Sequence, residues 1–287
     1  MLREEIVFTD LLPFADKASI FSLIEGLSTV ATREVRALRG RRMALAFSGG
    51  IDSSLAAQLL SLSGERPVLL ALGREGSADF ENVSGLNPSF SKNAEVHLEK
   101  IGVEEIQVAA KEISDKVTVS NLAHFEDCVS FWLIANKARN IPGVDTLLSA
   151  NGPDELFCGY DRFRRIADTS GFDAAEKEIS TALESAASLG QQVRKVVSGF
   201  GLKLEEPFLQ KEFIDFGLTI PIEYKILQGN DLLRKRIWRL FGRYLGLDER
   251  IVMRRKKAMQ YGMGIHAVTS NMLKHGTLKL EFPNPRS

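Results

Sequence analysis

The sequence predicts an α/β protein: a doubly wound parallel sheet with a helical C-terminal extension. Between about Leu38 and Tyr160, short apolar runs alternate with segments whose apolar residues recur at helical spacing. This alternation indicates strands joined by helical crossovers. From Asp161 onward the apolar spacing is mostly helical. Right-handed crossovers produce a parallel sheet with helices on both faces, and such sheets bind ligands at the carboxyl ends of their strands.

The individual elements follow from the lengths and spacing of these runs. The short apolar runs predict strands over residues 44–47, 67–72, 105–109 and 145–150. The segments between them predict helices over residues 51–63, 91–101 and 125–139. Further along, a long helix is predicted by an apolar stripe that consists of Ile179, Leu183, Leu189, Val193, Val196 and Val197.

We divide the chain into three parts. Residues 1–27 form an N-terminal appendage whose weak helical pattern is interrupted by Pro13, and we assign no role to it. Residues 28–160 form the α/β core. Residues 161–287 form a mostly helical part that is expected to pack on the core and complete its site.

Composition narrows the class of protein. The chain has 287 residues, 44% of them hydrophobic and 26% charged, which is enough to bury a full core. Lys plus Arg and Asp plus Glu both total 37, a balance that argues against nucleic acid or an acidic membrane as partner. Charges at positions 3–5 and the lack of a long apolar stretch predict a cytoplasmic protein without a membrane span. Cys128 and Cys158 indicate neither a disulfide framework nor a zinc site.

A glycine turn follows the first predicted strand, where the chain reads Phe47-Ser-Gly-Gly-Ile-Asp-Ser-Ser54. The glycines let the backbone approach a ligand, and the helix start that follows offers unpaired N–H groups, so the turn is typical of phosphate binding. A carboxylate beside phosphate predicts a divalent cation between them, although Asp52 or Ser53 as a plain helix cap is the alternative. The candidate residues are Phe47, Ser48, Gly49, Gly50, Asp52, Ser53 and Ser54.

A second polar turn follows the last predicted strand, at Ser149-Ala-Asn-Gly-Pro-Asp-Glu-Leu-Phe-Cys-Gly-Tyr160. It turns at Gly152 and begins a helix with two acids, which the helix dipole favours whether or not they have a further role. Both turns lie at the carboxyl edge of the predicted sheet. Asp154 is therefore a candidate for the second carboxylate of the cation site, beside Asp52.

These two segments resemble parts of the asparagine synthetases, members of the ATP pyrophosphatase superfamily. Ser-Gly-Gly-Ile-Asp-Ser-Ser resembles the pyrophosphate loop of that superfamily, and Asp154-Glu-Leu-Phe-Cys-Gly-Tyr resembles the Asp-Glu-Leu-Phe-Gly-Gly-Tyr segment of the family. The resemblance implies an adenine nucleotide alpha hydrolase-like fold. It also implies that ATP is split into AMP and pyrophosphate while a carbonyl oxygen is adenylated.

Three further segments extend the resemblance over roughly residues 28–265. Residues 73–79 resemble the Gly-x-x-Gly-Ser-x-Asp segment whose backbone holds adenine, which implies that role for Leu72 and Gly73. Residues 206–209 resemble the Pro-Phe-Leu-Asp segment of the family, with Gln210 in place of its acid. Residues 254–262 resemble a late Arg-x-Lys segment that ends in glycine.

The resemblance also implies catalytic residues. Measured back from Gly262, Lys256 matches the catalytic lysine of the family, and a positioned ammonium stabilises the negative charge that builds during adenylation and aminolysis. The alternative is a solvated basic helix end. The family has an acidic segment at the start of the helix that follows His124, so Glu126 or Asp127 is expected to contact the acceptor or nucleophile, or else only to stabilise the helix start.

Together these features predict an ATP-dependent, AMP-forming amide ligase with aspartate and ammonia as the favoured substrates. Mg²⁺ is expected to bridge Asp52, Asp154 and the pyrophosphate of ATP. Because the sequence has no glutaminase domain, ammonia is expected from solution or from a separate glutaminase subunit. Asn151 replaces an acid that faces the aspartyl group in the family, which leaves the identity of the carboxylate open.

Two other functions stay open. One is an enzyme of the same superfamily that adenylates another carboxylate or RNA. Its RNA-binding surface would consist of Arg234, Lys235, Arg236, Arg239 and Arg243. The other is a non-catalytic nucleotide-binding subunit. The sequence is also compatible with a homo-oligomer.

Overall fold

The structure, a computed structural model, describes residues 10–77, 80–85, 93–255 and 259–282. Its strands are β1 (Met43–Ala46), β2 (Val68–Gly73), β3 (Glu95–Lys100), β4 (Thr146–Leu148) and β5 (Lys203–Glu205). They form one five-stranded sheet in the order β3-β2-β1-β4-β5, and every neighbouring pair is parallel. The predicted α/β fold with a parallel sheet is confirmed.

The helices surround the sheet, and residues 80–85 are also helical. They are α1 (Lys17–Arg36), α2 (Ile51–Leu62), α3 (Val103–Ser114), α4 (Leu122–Ala138), α5 (Pro153–Leu156), α6 (Asp161–Ser170), α7 (Phe172–Ser198), α8 (Lys211–Thr219), α9 (Arg236–Tyr244), α10 (Glu249–Val252), α11 (Met259–Gly262) and α12 (Ile265–Lys274). Short 3₁₀ turns cover Pro207–Leu209 and Ile222–Tyr224. None of the described helices is long and apolar enough to cross a membrane.

The sheet is buried on both faces because its central strands carry apolar residues in both directions. Side chains alternate between the two faces of a strand. In β1, Leu45 packs in the apolar layer that includes α1 and α2, while Ala44 packs in the layer that includes α3 and α4. In β2, Leu69 and Leu70 divide in the same way. The helices on both faces make the sheet doubly wound.

Two predicted elements are wrong: the helix over residues 91–101 and the strand over residues 105–109. Residues Glu95–Lys100 form β3, and Val103–Ser114 form α3. Strand β3 lies at the edge of the sheet and its side chains are only partly buried, so it has no continuous apolar run. Helix α3 buries Ile106, Ala109, Ala110 and Ile113 at helical spacing, and this stripe was mistaken for a strand.

The N-terminal part is joined closely to the core. Helix α1 spans the predicted boundary between residues 27 and 28, and Asp16 caps it by accepting the Ser19 N–H at 2.9 Å. Leu11 and Leu12 precede the helix and are buried in the same apolar layer as α1. The segment before residue 28 therefore contributes to the core wherever the structure describes it.

Candidate functional site

A cavity of about 330 Å³ opens at the carboxyl edge of the sheet, beside β1 and β4. The strand order reverses between these two strands, which is where doubly wound sheets bind ligands. The walls come from the turns after β1 and β4, the start of α4 and the middle of α7. The polar residues that line the cavity are Ser48, Asp52, Ser53, Asn121, His124, Asp127, Ser149, Asn151, Asp154, Glu155, Tyr160, Arg162, Ser185 and Gln260.

The hydroxyls of Ser48 and Ser53 stabilise the turn after β1 by accepting hydrogen bonds from its backbone. Gly49 has a φ of +65°, which glycine adopts without strain. The Ser48 hydroxyl accepts the Gly50 N–H at 3.3 Å, and the Ser53 hydroxyl accepts the Ser48 N–H at 3.3 Å. Gly50 is the N-cap residue of α2, so Asp52 is not the cap. Because Gly50 has no side chain to cap the helix, the first N–H groups of α2 can bind an anion.

Two side chains from other parts of the chain support this turn. Asn82 Nδ2 donates to the Gly49 carbonyl at 3.1 Å, and Arg254 Nη1 donates to the Ser48 carbonyl at 3.2 Å. Both contacts use carbonyl groups and so leave the N–H groups of the turn unaffected. Phe47 and Ser54 flank the turn and are buried, and neither is among the residues that line the cavity.

The turn after β4 depends on two glycines. Gly152 has a φ of +116°, and a Cβ there would lie 2.3 Å from the Phe208 carbonyl oxygen, so a larger residue does not fit. A Cβ at Gly159 would lie 2.0 Å from Asp154 Oδ1. The Asp154 side chain is therefore packed directly against the backbone of Gly159. These contacts fix the carboxylate at the cavity wall.

In the structure the Asp52 and Asp154 carboxylates lie close together, and the Lys235 ammonium lies between them. Lys235 Nζ donates to Asp52 Oδ2 at 2.7 Å and to Asp154 Oδ1 at 2.9 Å. Trp238 Nε1 donates to the other oxygen of Asp52 at 2.9 Å. Trp238 is not predicted from the sequence, and Lys235 is predicted only as part of an RNA-binding surface.

The two carboxylates suit a magnesium ion that arrives with a nucleotide. Mg²⁺ is usually held by one or two carboxylates together with phosphate oxygens and water. Asp52 and Asp154 offer such a pair, since one oxygen of each lies within 2.9 Å of a common point at Lys235 Nζ. Over the described ranges, no group of three or more His, Cys, Asp or Glu side chains could hold a metal ion. The donor set therefore fits Mg²⁺ only if the nucleotide supplies further ligands.

Comparison with known proteins places the chain in a family. A family model described as asparagine synthase matches residues 33–201 and 187–280. The chain belongs to the asparagine synthase family. The resemblance seen in the sequence motifs is thereby confirmed.

Relatives share the family name at modest identity. The chain is 29% identical over 275 residues to a protein of Methanocaldococcus jannaschii named as a glutamine-hydrolysing asparagine synthetase. It is 26% identical over 250 residues to asparagine synthetase (glutamine-hydrolysing) of Asparagus officinalis. These matches cover 84% and 80% of the chain but only 49% and 41% of the relatives. The chain thus spans less than half the length of the relatives.

The solved structures that match this chain resemble it only weakly. NMN synthetase from Francisella tularensis is 12% identical, with coverage of 93% of this chain and 98% of that one. Its TM-score of 0.32 is too low to bear on the function.

Glu126 and Asp127 point in different directions, as neighbouring residues of a helix do. Glu126 is 1% exposed and faces α12, where it accepts a hydrogen bond from Thr269 Oγ1 at 2.5 Å and lies 2.9 Å from His266 Nδ1. Asp127 lines the cavity. Of these two asparagine synthase family candidates, the structure brings only Asp127 to the site.

Other residues implied by the family resemblance lie away from this cavity or outside the described residues. Leu72 and Gly73 end β2 and are not among the lining residues, and a Cβ at Gly73 would lie 2.6 Å from Ser77 Oγ. Lys256 and Asp79 lie outside the described residues. Both assignments, adenine to Leu72 and Gly73 and catalysis to Lys256, stay predictions.

Asn151 replaces the family acid, and a buried acid lies next to it. Asn151 lines the cavity, and its Nδ2 lies 3.5 Å from Glu206 Oε1. Glu206 is buried and also accepts a hydrogen bond from Arg194 at 2.8 Å. Burial raises the pKa of Glu206, although Arg194 opposes this effect. The carboxyl group beside Asn151 is thus buried and does not line the cavity.

Several cavity residues were not found by reading the sequence. His124 contacts Ser120 at 2.9 Å and Ser185 at 3.2 Å, and burial lowers the pKa of its imidazole, with Arg162 adding to the effect. Tyr160 donates a hydrogen bond to Glu155 at 2.5 Å. Burial and the Glu155 carboxylate raise the pKa of Tyr160 well above its usual value. Both pKa shifts favour the uncharged form of the side chain.

The basic residues considered for RNA binding are used inside the protein. Lys235 and Arg239 have no exposed surface. The other three side chains each pair with a carboxylate at 2.6–2.9 Å. The expected basic surface is therefore not formed by Arg234, Lys235, Arg236, Arg239 and Arg243.

Proposed function

We propose that this member of the asparagine synthase family is an ATP-dependent, AMP-forming amide ligase. One observation carries the proposal: Ser48 and Ser53 of the pyrophosphate loop line a single cavity at the switch point of the sheet together with Asp52 and Asp154. The second wall of that cavity holds further polar groups that suit a small polar substrate. Family membership supports the reaction class.

In the first half-reaction, an oxygen of the substrate carboxylate attacks the α-phosphorus of ATP. The bond from that phosphorus to pyrophosphate breaks, and pyrophosphate leaves with the electron pair. The leaving pyrophosphate would be held by Ser48, Ser53 and the backbone of Gly49 and Gly50, whereas Ser54, which was also predicted for this role, is buried and does not line the cavity. Mg²⁺ held by Asp52 and Asp154 would supply positive charge to the pyrophosphate. This half-reaction yields an acyl-AMP.

In the second half-reaction, the nitrogen of ammonia attacks the carbonyl carbon of the acyl-AMP. The bond to AMP breaks, AMP leaves with the electron pair, and the nitrogen loses a proton. We assign the stabilisation of negative charge in both steps to Lys256, as the family resemblance implies. Asp127 lines the cavity, which supports a contact with the nucleophile or the acceptor.

Aspartate is the favoured acceptor because the cavity offers groups of both charges. The Arg162 guanidinium suits a carboxylate, while Asp127 and Glu155 suit an ammonium group. Asn151 carries no charge where the family has an acid, so a different small amino acid is the alternative acceptor. Ammonia would come from solution or from a separate glutaminase subunit.

The test is isotope exchange between pyrophosphate and ATP across a panel of carboxylic acids. We expect exchange that requires Mg²⁺ and is strongest with aspartate. Exchange stimulated by tRNA and not by any amino acid would instead favour the enzyme that acts on RNA. Protein that binds ATP but releases no AMP with any substrate would show a non-catalytic subunit and overturn the proposal.

A further inference from the structure

We propose that Lys235 and Trp238 are positioning residues for the divalent cation, an inference that rests on the proposed function. Lys235 joins the two carboxylates through contacts of 2.7 and 2.9 Å, and Trp238 fixes the remaining oxygen of Asp52 at 2.9 Å. We call Lys235 and Trp238 the clamp. Groups that form hydrogen bonds with metal ligands on the side away from the metal fix the orientation of those ligands. The clamp holds Asp52 and Asp154 at one point before a cation arrives.

The clamp lies on the far side of the carboxylates from the cavity. Lys235 and Trp238 have no exposed surface and are not among the lining residues. Asp52 and Asp154 do line the cavity, with side chains that are 15% and 14% exposed. An ionised carboxylate has about four lone-pair sites. Each carboxylate can therefore accept from the clamp and still bind a cation on its cavity side.

The backbone before α9 is held in a strained shape that delivers Lys235. Arg234 and Lys235 have φ values of +54° and +51°, a conformation that is costly for residues other than glycine. Such strain persists only where the surroundings impose it, and it is common at functional sites. The buried Asp231 imposes it here by accepting the N–H groups of Leu233 and Arg234, both at 3.0 Å. It also pairs with Arg236, the first residue of α9, at 2.6 Å.

The charges of Lys235, Asp52 and Asp154 allow two opposite predictions for how the loss of Lys235 changes the affinity for a divalent cation. Two carboxylates and one ammonium give this group a net charge of −1. Without Lys235 the two carboxylates repel each other and are no longer held together. If Lys235 positions the ligands, its loss lowers the affinity for a divalent cation. If its ammonium instead competed with the cation, its loss would raise that affinity.

The test uses Mn²⁺ in place of Mg²⁺, because binding of Mn²⁺ can be followed by electron paramagnetic resonance. Full-length wild type, Lys235→Met and Trp238→Phe would be titrated with Mn²⁺ in the presence of α,β-methylene-ATP. We expect affinity for Mn²⁺ to fall roughly 10- to 100-fold in Lys235→Met, the usual effect of losing such a positioning group. Trp238→Phe keeps the ring but removes the N–H donor, so a smaller fall is expected.

Lys225→Met is the matched control. Lys225 is also a fully buried lysine close to α9, since its carbonyl accepts the Arg236 N–H, but its titratable neighbours are Cys158 and Glu176 and not the two site carboxylates. Its loss should leave affinity for Mn²⁺ within about twofold. Circular dichroism and thermal melting of each variant would show that the fold is retained.

The outcomes separate cleanly. An unchanged or raised affinity for Mn²⁺ in folded Lys235→Met overturns the proposal. A wild-type protein that binds the nucleotide but does not bind Mn²⁺ also overturns it. If Lys235→Met does not fold, Trp238→Phe decides in the same way. Failure of pyrophosphate exchange with every carboxylate would count against the ligase, yet the Mn²⁺ titration would still report on the clamp.

Discussion

Asp52 is held by two donors of different kinds, the Lys235 ammonium and the Trp238 indole N–H. A single carboxylate therefore connects the pyrophosphate loop to helix α9. At the scale of single residues, the site is a set of side chains whose positions depend on such partners. Substitutions that keep shape but remove charge are the sharpest probes of these roles.

Asp52→Asn should keep the fold but abolish Mg²⁺-dependent AMP formation. Asparagine retains one acceptor for Lys235 or Trp238, so we expect a loss of about 1–3 kcal/mol in the free energy of unfolding. The loss of the charge that binds Mg²⁺ should lower turnover by on the order of 10²–10³. Urea unfolding and AMP release measure the two effects. Undiminished turnover in saturating Mg²⁺ would contradict the metal assignment.

Lys256→Ala and Lys257→Ala test which of two adjacent lysines is catalytic. Removing a charge that acts in the transition state costs on the order of 10²–10³ in rate and affects binding less. We expect Lys256→Ala to lose most of kcat, in both pyrophosphate exchange and amide formation, while ATP affinity changes little. Lys257→Ala should lose far less. Equal losses in the two variants would show that the register assigned to this segment is wrong.

At the scale of elements, Glu126 links α4 to α12 through Thr269 and His266. Glu126→Ala should lower the free energy of unfolding by about 1–3 kcal/mol, because the buried Thr269 hydroxyl loses its acceptor. It should leave pyrophosphate exchange within severalfold of wild type. Asp127→Asn, one residue further on, should leave the free energy of unfolding nearly unchanged and should lower the rate of pyrophosphate exchange strongly. Urea unfolding and exchange assays on both variants test this division, and a catalytic collapse in Glu126→Ala would contradict it.

The elements that were predicted correctly are those with an unambiguous apolar pattern. Strands β1, β2 and β4 are buried on both faces and therefore read as continuous apolar runs. Edge strand β3 mixes charged and apolar residues, and β5, at the other edge, has the sequence Lys-Leu-Glu with only its leucine buried. Their pairing is decided by the neighbouring strand, which single-sequence periodicity does not show.

The candidate site was also predicted only in part, because local motifs are visible in the sequence and contacts between distant residues are not. Local motifs located Asp52 and Asp154 on one edge of the sheet. Lys235 is 183 and 81 positions away from them, and no local pattern links such distant residues. The choice between Glu126 and Asp127 depended on the rotation of α4 about its axis, which is set by packing.

At the scale of the whole molecule, Lys225 is expected to make stability depend on alkaline pH. Burial lowers its pKa from 10.5 to about 8. Between these values the unfolded chain holds the proton and the folded chain does not, so stability rises with pH. At about 1.4 kcal/mol per pH unit, the charged lysine costs on the order of 3 kcal/mol at pH 7.

Lys225→Met should therefore be more stable than wild type at pH 7 by up to about 3 kcal/mol. The difference should shrink as the pH rises through the window from 8 to 10.5. Urea unfolding of both proteins at a series of pH values measures it. A difference that does not vary with pH would show that the Lys225 pKa is not shifted.

The nitrogen source is also a property of the whole chain. Because the two cysteines of these 287 residues, Cys128 and Cys158, are both buried and so neither is exposed to attack glutamine, this purified chain should form amide from ammonium salts and not from glutamine. Amide formed from glutamine, in a preparation free of contaminating glutaminase, would contradict this expectation.

The N-terminal segment has a mechanical consequence. Asp10 pairs with Arg243 of α9 at 2.7 Å, and Arg236 at the start of α9 donates to the Asp10 carbonyl at 3.3 Å. A pulling force at this end of the chain would therefore act on α9 through these two contacts, and on α1 through the backbone. Because Lys235 immediately precedes α9, the same force would act on the contact between its ammonium and Asp52. We therefore expect tension on this end of the chain to weaken the contact that holds Asp52 and Asp154 together.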